Sequence, residues 1–303
     1  MQCPHHLFLV DPRDFSFNAQ TASSNAFQQQ INIHGAKEKV SSEFQGVLDT
    51  LEKNNISFTV IDSPKGVHVP DAVFPNNWFA VMPEGELILF PMCAPNRRDE
   101  VNEILIDKVN SAFSISRVID LRQHVNENCF LEGTGSIVFD HDHKLAYACE
   151  SPRTHINLLN NLCKQIGYTP VSFLAVDLKG EPIYHTNVVM SVGAKNAIIC
   201  LEAVSNVFEK TMLKQTIEKT GKTLIDLTYA QMNAFGANVL QVLTTHGKPA
   251  WLMSTTARRS FTDLQISELN KSGAVVFMDI PTIETLGGGS LRCMLAGIHA
   301  PPK

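Results

Sequence analysis

Apolar and polar positions alternate along the chain in a recurring order of strand, turn, strand, helix and strand. Four copies are clear, and they begin about 50–60 residues apart, a spacing typical of propeller-like or stacked arrays. A hairpin precedes each helix, which argues against the alternative of a doubly wound parallel sheet. The predicted strand, strand, helix and strand of each copy are 77–82, 87–90, 97–113 and 117–120; 136–140, 145–149, 152–166 and 171–175; 187–192, 197–201, 206–220 and 223–227; and 238–243, 250–253, 256–272 and 274–278.

A fifth and looser copy comes first in the chain. It has a strand at 7–10, a helix at 37–54 and a strand at 56–61, and its second strand is missing from the pattern. No low-complexity linker interrupts the chain, so we expect residues 1–303 to form a single α/β domain.

Residues typical of helix ends flank several of the predicted helices. Helix N-caps favour serine and threonine, with proline in the first turn, and C-caps favour glycine in the left-handed conformation. The predicted N-caps are Ser151 (before Pro152), Ser205 and Thr255, and the predicted C-caps are Gly167, Gly221 and Gly273.

Composition and charge narrow the class of protein. The 303 residues include 25 basic and 30 acidic side chains, a net charge of −5, and 44% are hydrophobic. Such a chain can bury a large core, which excludes disorder, and its lack of basic runs argues against a nucleic-acid or anionic-membrane surface. No stretch approaches the ~20 apolar residues of a membrane span. The opening residues have no basic region typical of a secretory signal.

The seven cysteines form an odd set without a CxxC pair. Neither a disulfide framework nor a zinc cluster is indicated, so we expect a reduced, cytoplasmic compartment. A cysteine with a special role is then special because of its reactivity.

Long connectors rich in proline and glycine separate the copies, and loops of that length in a compact protein are usually functional. In a circular array, connectors that leave equivalent points converge near one axis. They are 62–76, with PDAVFPNNW; 121–135, with LEGTG; 176–186, with PIYH; and 279–292, which ends in GGGSLR before Cys293.

Three residues of these connectors have the chemistry of a cysteine hydrolase. Cys293 follows three glycines and a serine, where a ligand could approach the backbone closely, and a short helix over 291–297 would favour its thiolate. His185 is a candidate acid/base, and Glu132, in a glycine-rich loop, could orient that imidazole. From the residues alone, each has a plainer alternative: a small buried residue in a turn, a structural histidine and a solvated loop acid.

A metal site at His141 and His143 is a further alternative, which is weak because no third ligand stands nearby in the sequence.

Together the motifs PDAVFPNNW, LEGTGS, SPRTH, YHTN and GGGSLRCM resemble the pentein superfamily of guanidino-group-modifying enzymes. The opening DPRDFSFNAQTASSNAFQ is similar, more narrowly, to the citrulline-utilisation hydrolases, or citrulline ureidases. The resemblance implies a five-bladed α/β propeller of ββαβ units around a central site. It also implies that Cys293 is the nucleophile, His185 the general acid/base and Glu132 its orienting carboxylate. No metal or organic cofactor is implied.

The same resemblance assigns the substrate-binding residues. Arg153 matches the arginine that receives the substrate α-carboxylate, and Asp71 the acid that binds the α-amino group. Asn76 and Asn77 stand where deiminases and dimethylarginine hydrolases carry acids, and neutral amides suit a ureido group better than a guanidinium. The expected substrate is therefore citrulline, hydrolysed to ornithine, CO₂ and ammonia.

Several alternatives stay open at this stage. Succinylarginine dihydrolases also resemble the chain in having asparagine in this region, so an arginine deiminase or dihydrolase, or a dimethylarginine dimethylaminohydrolase-like enzyme, is an alternative. An amidinotransferase and a non-catalytic binding protein are two more. The expected partner is a small-molecule amino acid, without nucleic acid or membrane, and the chain could form a homodimer. The segment 11–36, rich in Asn, Gln and Ser, is a candidate lid.

Overall fold

The computed structural model describes all 303 residues and has a mixed α/β fold. The strands are β1 His6–Val10, β2 Phe58–Ile61, β3 Phe79–Val81, β4 Glu86–Leu89, β5 Arg117–Asp120, β6 Val138–Asp140, β7 Leu145–Cys149, β8 Thr169–Phe173, β9 Met190–Val192, β10 Asn196–Ile199, β11 Thr223–Asp226, β12 Leu240–Leu243, β13 Pro249–Ser254, β14 Ala274–Met278 and β15 Ala296–Ile298. The α-helices are α1 Ala19–Ala22, α2 Ala36–Lys53, α3 Glu103–Ala112, α4 Gly133–Ser136, α5 Ile156–Ile166, α6 Thr186–Val189, α7 Val207–Lys219, α8 Tyr229–Asn233, α9 Thr255–Ser260, α10 Asp263–Asn270 and α11 Pro281–Gly287.

The strand pairings give the ββαβ units that the periodicity predicts. In each of four units the first two strands pair antiparallel and the third strand, which follows the helix, pairs parallel to the second: β3–β4–β5, β6–β7–β8, β9–β10–β11 and β12–β13–β14. The hairpin brings the first two strands together locally, and the helix provides the long crossover that a parallel pair requires.

The missing strand of the looser copy is supplied from the other end of the chain. β15 pairs antiparallel with β1, with Leu7 opposite Gly297, and β1 pairs parallel with β2. The order of elements in this unit is therefore β15–β1–α2–β2. The pattern near the start of the chain cannot show its first strand, because β15 lies at the other end of the sequence. One further parallel pair, Ile298 with Val81, joins it to β3 in a six-stranded sheet.

A single helical turn stands before the first strand of four units. The turns are Pro75–Asn77, α4, α6 and Leu291–Met294, the first and last of them 3₁₀. Several of these turns pack against one another. They correct the predicted strands 77–82, 136–140 and 187–192, whose first residues are helical. The connectors thus end in short rigid turns that converge.

Two predicted helices are each broken in two. The helix expected over 97–113 is a 3₁₀ segment, Pro95–Glu100, followed by α3. The side chain of Asn102 caps α3 by accepting from the N–H groups of Ile104 and Leu105. The helix expected over 256–272 is α9 and then α10, which begins after a capping box at Thr262. In both cases a strong N-cap residue starts a new helix within the apolar pattern.

The predicted caps are partly wrong. α5 begins after His155, so Ser151 and Arg153 lie in a turn ahead of the helix. The N-caps of α7 and α9 are Asn206 and Ser254, one residue away from the predicted ones in each case. Gly167 is a left-handed C-cap as expected, with φ 72°, and Gly221 is left-handed just beyond the C-cap of α7. Gly273 does not have a positive φ; a Cβ there would lie 2.9 Å from the Pro249 carbonyl oxygen.

The core consists of four apolar clusters between the sheets and the helices. Trp78, Tyr147 and Trp251 are fully buried in it, and all seven cysteines are free. None of the helices combines the length and the apolar character required to cross a bilayer.

Candidate active site

A small cavity of about 20 Å³ lies where the helical turns converge. Five of the seven predicted site residues line it, and the remaining two, Glu132 and Asn76, lie behind its wall. Its lining residues are Thr21, Asn25, Asp71, Phe74, Asn77, Arg97, Arg153, Tyr184, His185, Gly287, Gly289 and Cys293. The predicted nucleophile, the predicted acid/base and both groups predicted to bind the amino-acid backbone thus face one space.

Glu132 and His185 form a buried hydrogen-bonded pair. His185 Nε2 lies 2.8 Å from Glu132 Oε2, and the N–H of Cys93 donates to Oε1 at 2.9 Å. A carboxylate only accepts hydrogen bonds, so Nε2 carries the hydrogen, and Nδ1 of the neutral imidazole holds the lone pair. Nδ1 makes no hydrogen bond within the protein and is free to accept a proton.

Burial and charge set the protonation of this pair. Burial lowers the pKa of His185 to about 4; the hydrogen bond and charge of Glu132 act against this shift, whereas Arg153 adds to it. Burial alone would raise the pKa of Glu132, but the charge of Arg153 and the hydrogen bond from His185 hold it well below its usual range. At neutral pH the resting pair is therefore a carboxylate and a neutral imidazole.

Two asparagine amides surround the sulfur of Cys293. Asn238 Nδ2 lies 3.3 Å and Asn187 Nδ2 3.5 Å from Sγ, close enough to donate to it. The predicted helix over 291–297 is wrong, because a four-residue 3₁₀ turn, Leu291–Met294, leads directly into β15. Sγ also lies 3.6 Å from Asn238 Oδ1, so the polar partners of the sulfur are side-chain amides rather than the end of a longer helix.

Two glycines permit close approaches that any side chain would block. A Cβ on Gly135 would lie 2.4 Å from Asn77 Nδ2 and 2.8 Å from the His185 ring. Gly288 caps α11 at φ 62°, and a Cβ there would lie 2.6 Å from the Gln28 nitrogen. The glycines of LEGTGS and GGGSLRCM therefore let the histidine, the amide and the segment around Gln28 pack directly on backbone.

The segment around α1 covers Asp71 and Arg153. Asp71 Oδ2 accepts from Asn18 Nδ2 at 2.8 Å and from Thr21 Oγ1 at 3.1 Å. Its Oδ1 is buried without a partner, and burial raises the pKa of this carboxyl. Arg153 donates to the Thr21 carbonyl at 2.9 Å and to Ser24 Oγ at 2.6 Å, and lies 3.5 Å from Glu132 Oε2. Part of the predicted lid thus occupies the groups expected to bind substrate.

Asn76 and Asn77 face different surroundings. Arg97 Nη1 donates to Asn77 Oδ1 at 2.8 Å, which leaves Asn77 Nδ2 unpartnered beside Gly135. Arg97 is itself held by Glu100 through two hydrogen bonds of 2.7 and 2.9 Å. Asn76 does not line the cavity; its Nδ2 donates to Thr134 Oγ1 at 3.3 Å.

Sequence reasoning missed three contributors to the site. Asn187 belongs to the YHTN motif, but the sequence assigns no role to it. The sequence pattern predicts only that a strand begins at Asn238 and that a helix begins at Arg97. The tertiary fold brings each of them close to the site, and their residue types and spacing in the sequence do not predict this. The two histidines of the alternative metal site have separate partners, Tyr168 for His141 and Asp140 for His143.

Solved structures with this fold include arginine-modifying enzymes. Full-length ArgZ, an arginine dihydrolase from the ornithine-ammonia cycle in cyanobacteria, matches with TM-score 0.77 and 16% identity, covering 98% of this chain but 41% of its own. This chain thus spans about two fifths of that enzyme. The N-terminal domain of ArgZ bound to substrate matches with TM-score 0.76 and 16% identity over 98% of both chains.

A dimethylarginine dimethylaminohydrolase in adduct with S-methyl-L-thiocitrulline matches with TM-score 0.68 and 16% identity, over 97% of this chain and all of that one. These likenesses establish a mixed α/β fold of the pentein type. No protein of curated function matches the chain.

The comparison with protein families is more specific than the likeness of fold. A single family model matches residues 11–300, which include every motif discussed above. The chain belongs to the family described as N,N dimethylarginine dimethylhydrolase, eukaryotic.

Proposed function

We propose that the protein is a cysteine-dependent C–N hydrolase that acts on the terminal guanidino or ureido group of an arginine-like amino acid. The observation that carries the proposal is the Glu132–His185 pair, 2.8 Å apart, with its imidazole and Cys293 lining one cavity. Glu132, His185 and Cys293 are 0, 2 and 4% exposed, so their chemistry would be shielded from bulk water. We further propose that the five units close into a ring within one domain, with the site at its centre; the β15–β3 pairing and the contacts of β9 with β6 and β12 support this arrangement.

The substrate backbone would be bound by Arg153 and Asp71. The guanidinium of Arg153 can receive an α-carboxylate in place of the Ser24 hydroxyl and the Thr21 carbonyl. Asp71 has a buried oxygen, Oδ1, ready to accept from an α-ammonium group. At about 20 Å³ the cavity is far below the usual size of a small-molecule site, about 300–1,000 Å³. Substrate entry therefore requires residues 18–25 to move outwards.

The reaction proceeds through a covalent intermediate. His185 Nδ1 takes the thiol proton of Cys293, and the thiolate attacks the central carbon of the terminal group. The imidazolium, stabilised by Glu132, gives this proton to the departing nitrogen, which leaves as an amine or ammonia. His185 then accepts a proton from water as its oxygen attacks the same carbon, and the C–S bond breaks to restore the thiol. The amides of Asn187 and Asn238 stabilise the sulfur anion before the attack and after its release.

Membership of the family favours a guanidino substrate, such as dimethylarginine or arginine. Dimethylarginine would be converted to citrulline and dimethylamine, and arginine would lose ammonia. In this reading the donor groups of the substrate would need acceptors among the polar atoms of the cavity wall, since a guanidinium has none of its own.

One contact favours citrulline as a second candidate. Because a guanidinium can only donate, Arg97 fixes Asn77 with its oxygen turned away and its Nδ2 unpartnered. An N–H donor there suits a ureido oxygen and leaves a guanidinium without an acceptor. Arg97 also adds a cation to the cavity wall, although Glu100 pairs with it. Citrulline would then yield ornithine, CO₂ and ammonia.

The test is to incubate the purified protein separately with dimethylarginine, arginine and citrulline and to quantify dimethylamine, ammonia, citrulline and ornithine by mass spectrometry. Dimethylamine release supports the family reading, and ornithine from citrulline supports the second candidate. Cys293→Ala, with an unchanged near-UV spectrum, is expected to lose about 10⁴-fold or more of the activity. Turnover only when an acceptor amine is added would indicate a transferase. No turnover of any substrate, with no covalent adduct on Cys293, would leave a binding protein.

A further inference from the structure

A second cavity lies behind the Cys293 turn and is separate from the first. Its volume is about 50 Å³, and it is lined by residues of β3, β6, β9, β12 and β15 and of the segment before β1. Arg292 lines this second cavity, whereas its neighbour Cys293 lines the first. The 3₁₀ turn of Leu291–Met294 therefore presents adjacent side chains to two different spaces.

Arg292 is a buried cation without a carboxylate partner, and only an ionised Cys293, its neighbour in the chain, would offset its charge. Its side chain makes one hydrogen bond, from Nη1 to Thr134 Oγ1 at 3.1 Å, and no carboxylate lies within 4 Å. The other two deeply buried arginines differ: Arg97 has Glu100 at 2.7 Å, and Arg153 has Glu132 at 3.5 Å. Burial lowers the pKa of Arg292 to about 10, so it remains a cation at neutral pH.

The rest of the cavity wall offers no negative group. Its 18 lining residues include no aspartate or glutamate. Ser191 Oγ and His299 Nδ1 are buried without hydrogen-bond partners, and burial lowers the pKa of His299 to about 3, which keeps that imidazole neutral. The other ring nitrogen of His299 donates to the Met1 backbone, so the unpartnered Nδ1 of this neutral imidazole holds a lone pair. The wall therefore combines one full positive charge with one unsatisfied neutral donor, the Ser191 hydroxyl.

An uncompensated buried charge is strongly unfavourable, and native proteins normally pair it. We propose that this second cavity is a binding site for a small inorganic anion of the size of chloride, held by Arg292. Ser191 supplies a neutral donor on the same wall. A halide accepts hydrogen bonds and carries a negative charge, which fits a wall that has a cation and a free hydroxyl but no carboxylate. The proposed site lies in a cavity separate from that of Cys293.

The test uses bromide as the probe. Crystals of the full chain are soaked in sodium bromide, and anomalous scattering is measured. The expected result is a peak within hydrogen-bond distance of the Arg292 guanidinium. In solution, bromide is expected to raise the Tm by about 2–4 °C relative to sodium gluconate at equal ionic strength, as a ligand that binds only the folded state does.

Three variants make the solution measurement specific. Arg292→Met should remove the Tm difference between the two salts, Arg292→Lys should keep part of it, and Arg259→Met, at an exposed arginine, should keep all of it. If Arg292→Met does not fold, the test compares the Tm difference between the two salts in the wild type with that in Arg292→Lys. No bromide peak at the guanidinium, a peak with no effect on the Tm, or an equal salt response in a folded Arg292→Met would each overturn the proposal.

Discussion

The two cavities on either side of Leu291–Met294 differ in whether their charged side chains are paired with side chains of opposite charge. In the cavity of Cys293 the charged side chains on the wall have charged partners: Arg97 with Glu100 and, at 3.9 Å, with Asp71, and Arg153 with Glu132. In the cavity of Arg292 a single cation has no carboxylate partner. Paired charges suit the proposed chemistry on a dipolar amino acid, because the substrate can exchange partners with them without adding net charge. A cavity with one cation and no carboxylate is suited to bind an anion.

Glu132→Gln is expected to have the largest effect on the Cys293 side. The amide keeps the shape but loses the charge that stabilises the His185 imidazolium, so kcat should fall by about 10²–10⁴ while the fold persists. Steady-state kinetics with the best substrate checks this. The matched control is Glu127→Gln, an exposed glutamate on the same connector, which should leave kcat unchanged. A loss of less than threefold in Glu132→Gln would mean that the pair does not act in the reaction.

Asn77→Asp is expected to change the preference between substrates. A carboxylate in place of the amide accepts from a guanidinium and repels a ureido oxygen, and hydrogen bonds to charged groups contribute about 1.5–3 kcal/mol. The ratio of kcat/KM for arginine to that for citrulline should therefore rise about 10- to 100-fold.

Asn76→Asp is the comparison variant, because Asn76 does not line the cavity. It should change the ratio much less. If the ratio stays constant in Asn77→Asp, the orientation of the Asn77 amide does not determine which substrate is preferred.

The pH dependence of kcat/KM should show an unusually low acid limb. The reaction needs neutral His185, whose pKa is lowered by burial to about 4. Activity should therefore be maintained as the pH falls through 6.5 and should decline about tenfold per pH unit only below about pH 4. Initial rates should be measured over short times, because acid also protonates other buried groups. A limb centred near pH 6.5 would show that His185 is not held neutral.

Thr134→Val is expected to have the smallest effect. Thr134 Oγ1 accepts from Arg292 and Asn76 and donates to the Asn76 carbonyl, so it links the wall of the second cavity to a residue behind the wall of the first. Its loss leaves partly buried groups unsatisfied and should lower the free energy of unfolding by about 1–3 kcal/mol in urea titrations. Thr134→Ser keeps the hydroxyl and should be close to the wild type. If the free energy of unfolding is unaltered in the valine variant, water replaces the hydrogen bonds of Thr134 Oγ1.

Much of the fold could be predicted from the sequence because it rests on local periodicity. The ββαβ order of four units follows from apolar alternation and from helical spacing. The turns before the first strands were missed, since three or four residues are too few to show a helical period. The break at Asn102 was missed because the apolar pattern continues across it.

The site was predictable only in part. Cys293, His185 and Glu132 stand in short motifs that resemble a known family, and the structure brings them to one cavity or its wall. Asn238 and Arg97 carry no such local signal, and only the tertiary fold shows that one amide contacts the sulfur and that one guanidinium orients Asn77. The cavity behind Arg292 has no motif at all.

The pairing of residues 6–8 with 296–298 joins segments almost 290 positions apart. Contacts of such sequence separation form late, because a long loop must close before they contribute. The sulfur of Cys293 stands three residues ahead of the closing strand, so its approach to the asparagine partners depends on this seam. Under the proposed mechanism, a chain still being synthesised would carry His185 and Glu132 before Cys293 could join them, and activity would begin only when the two ends of the chain pair.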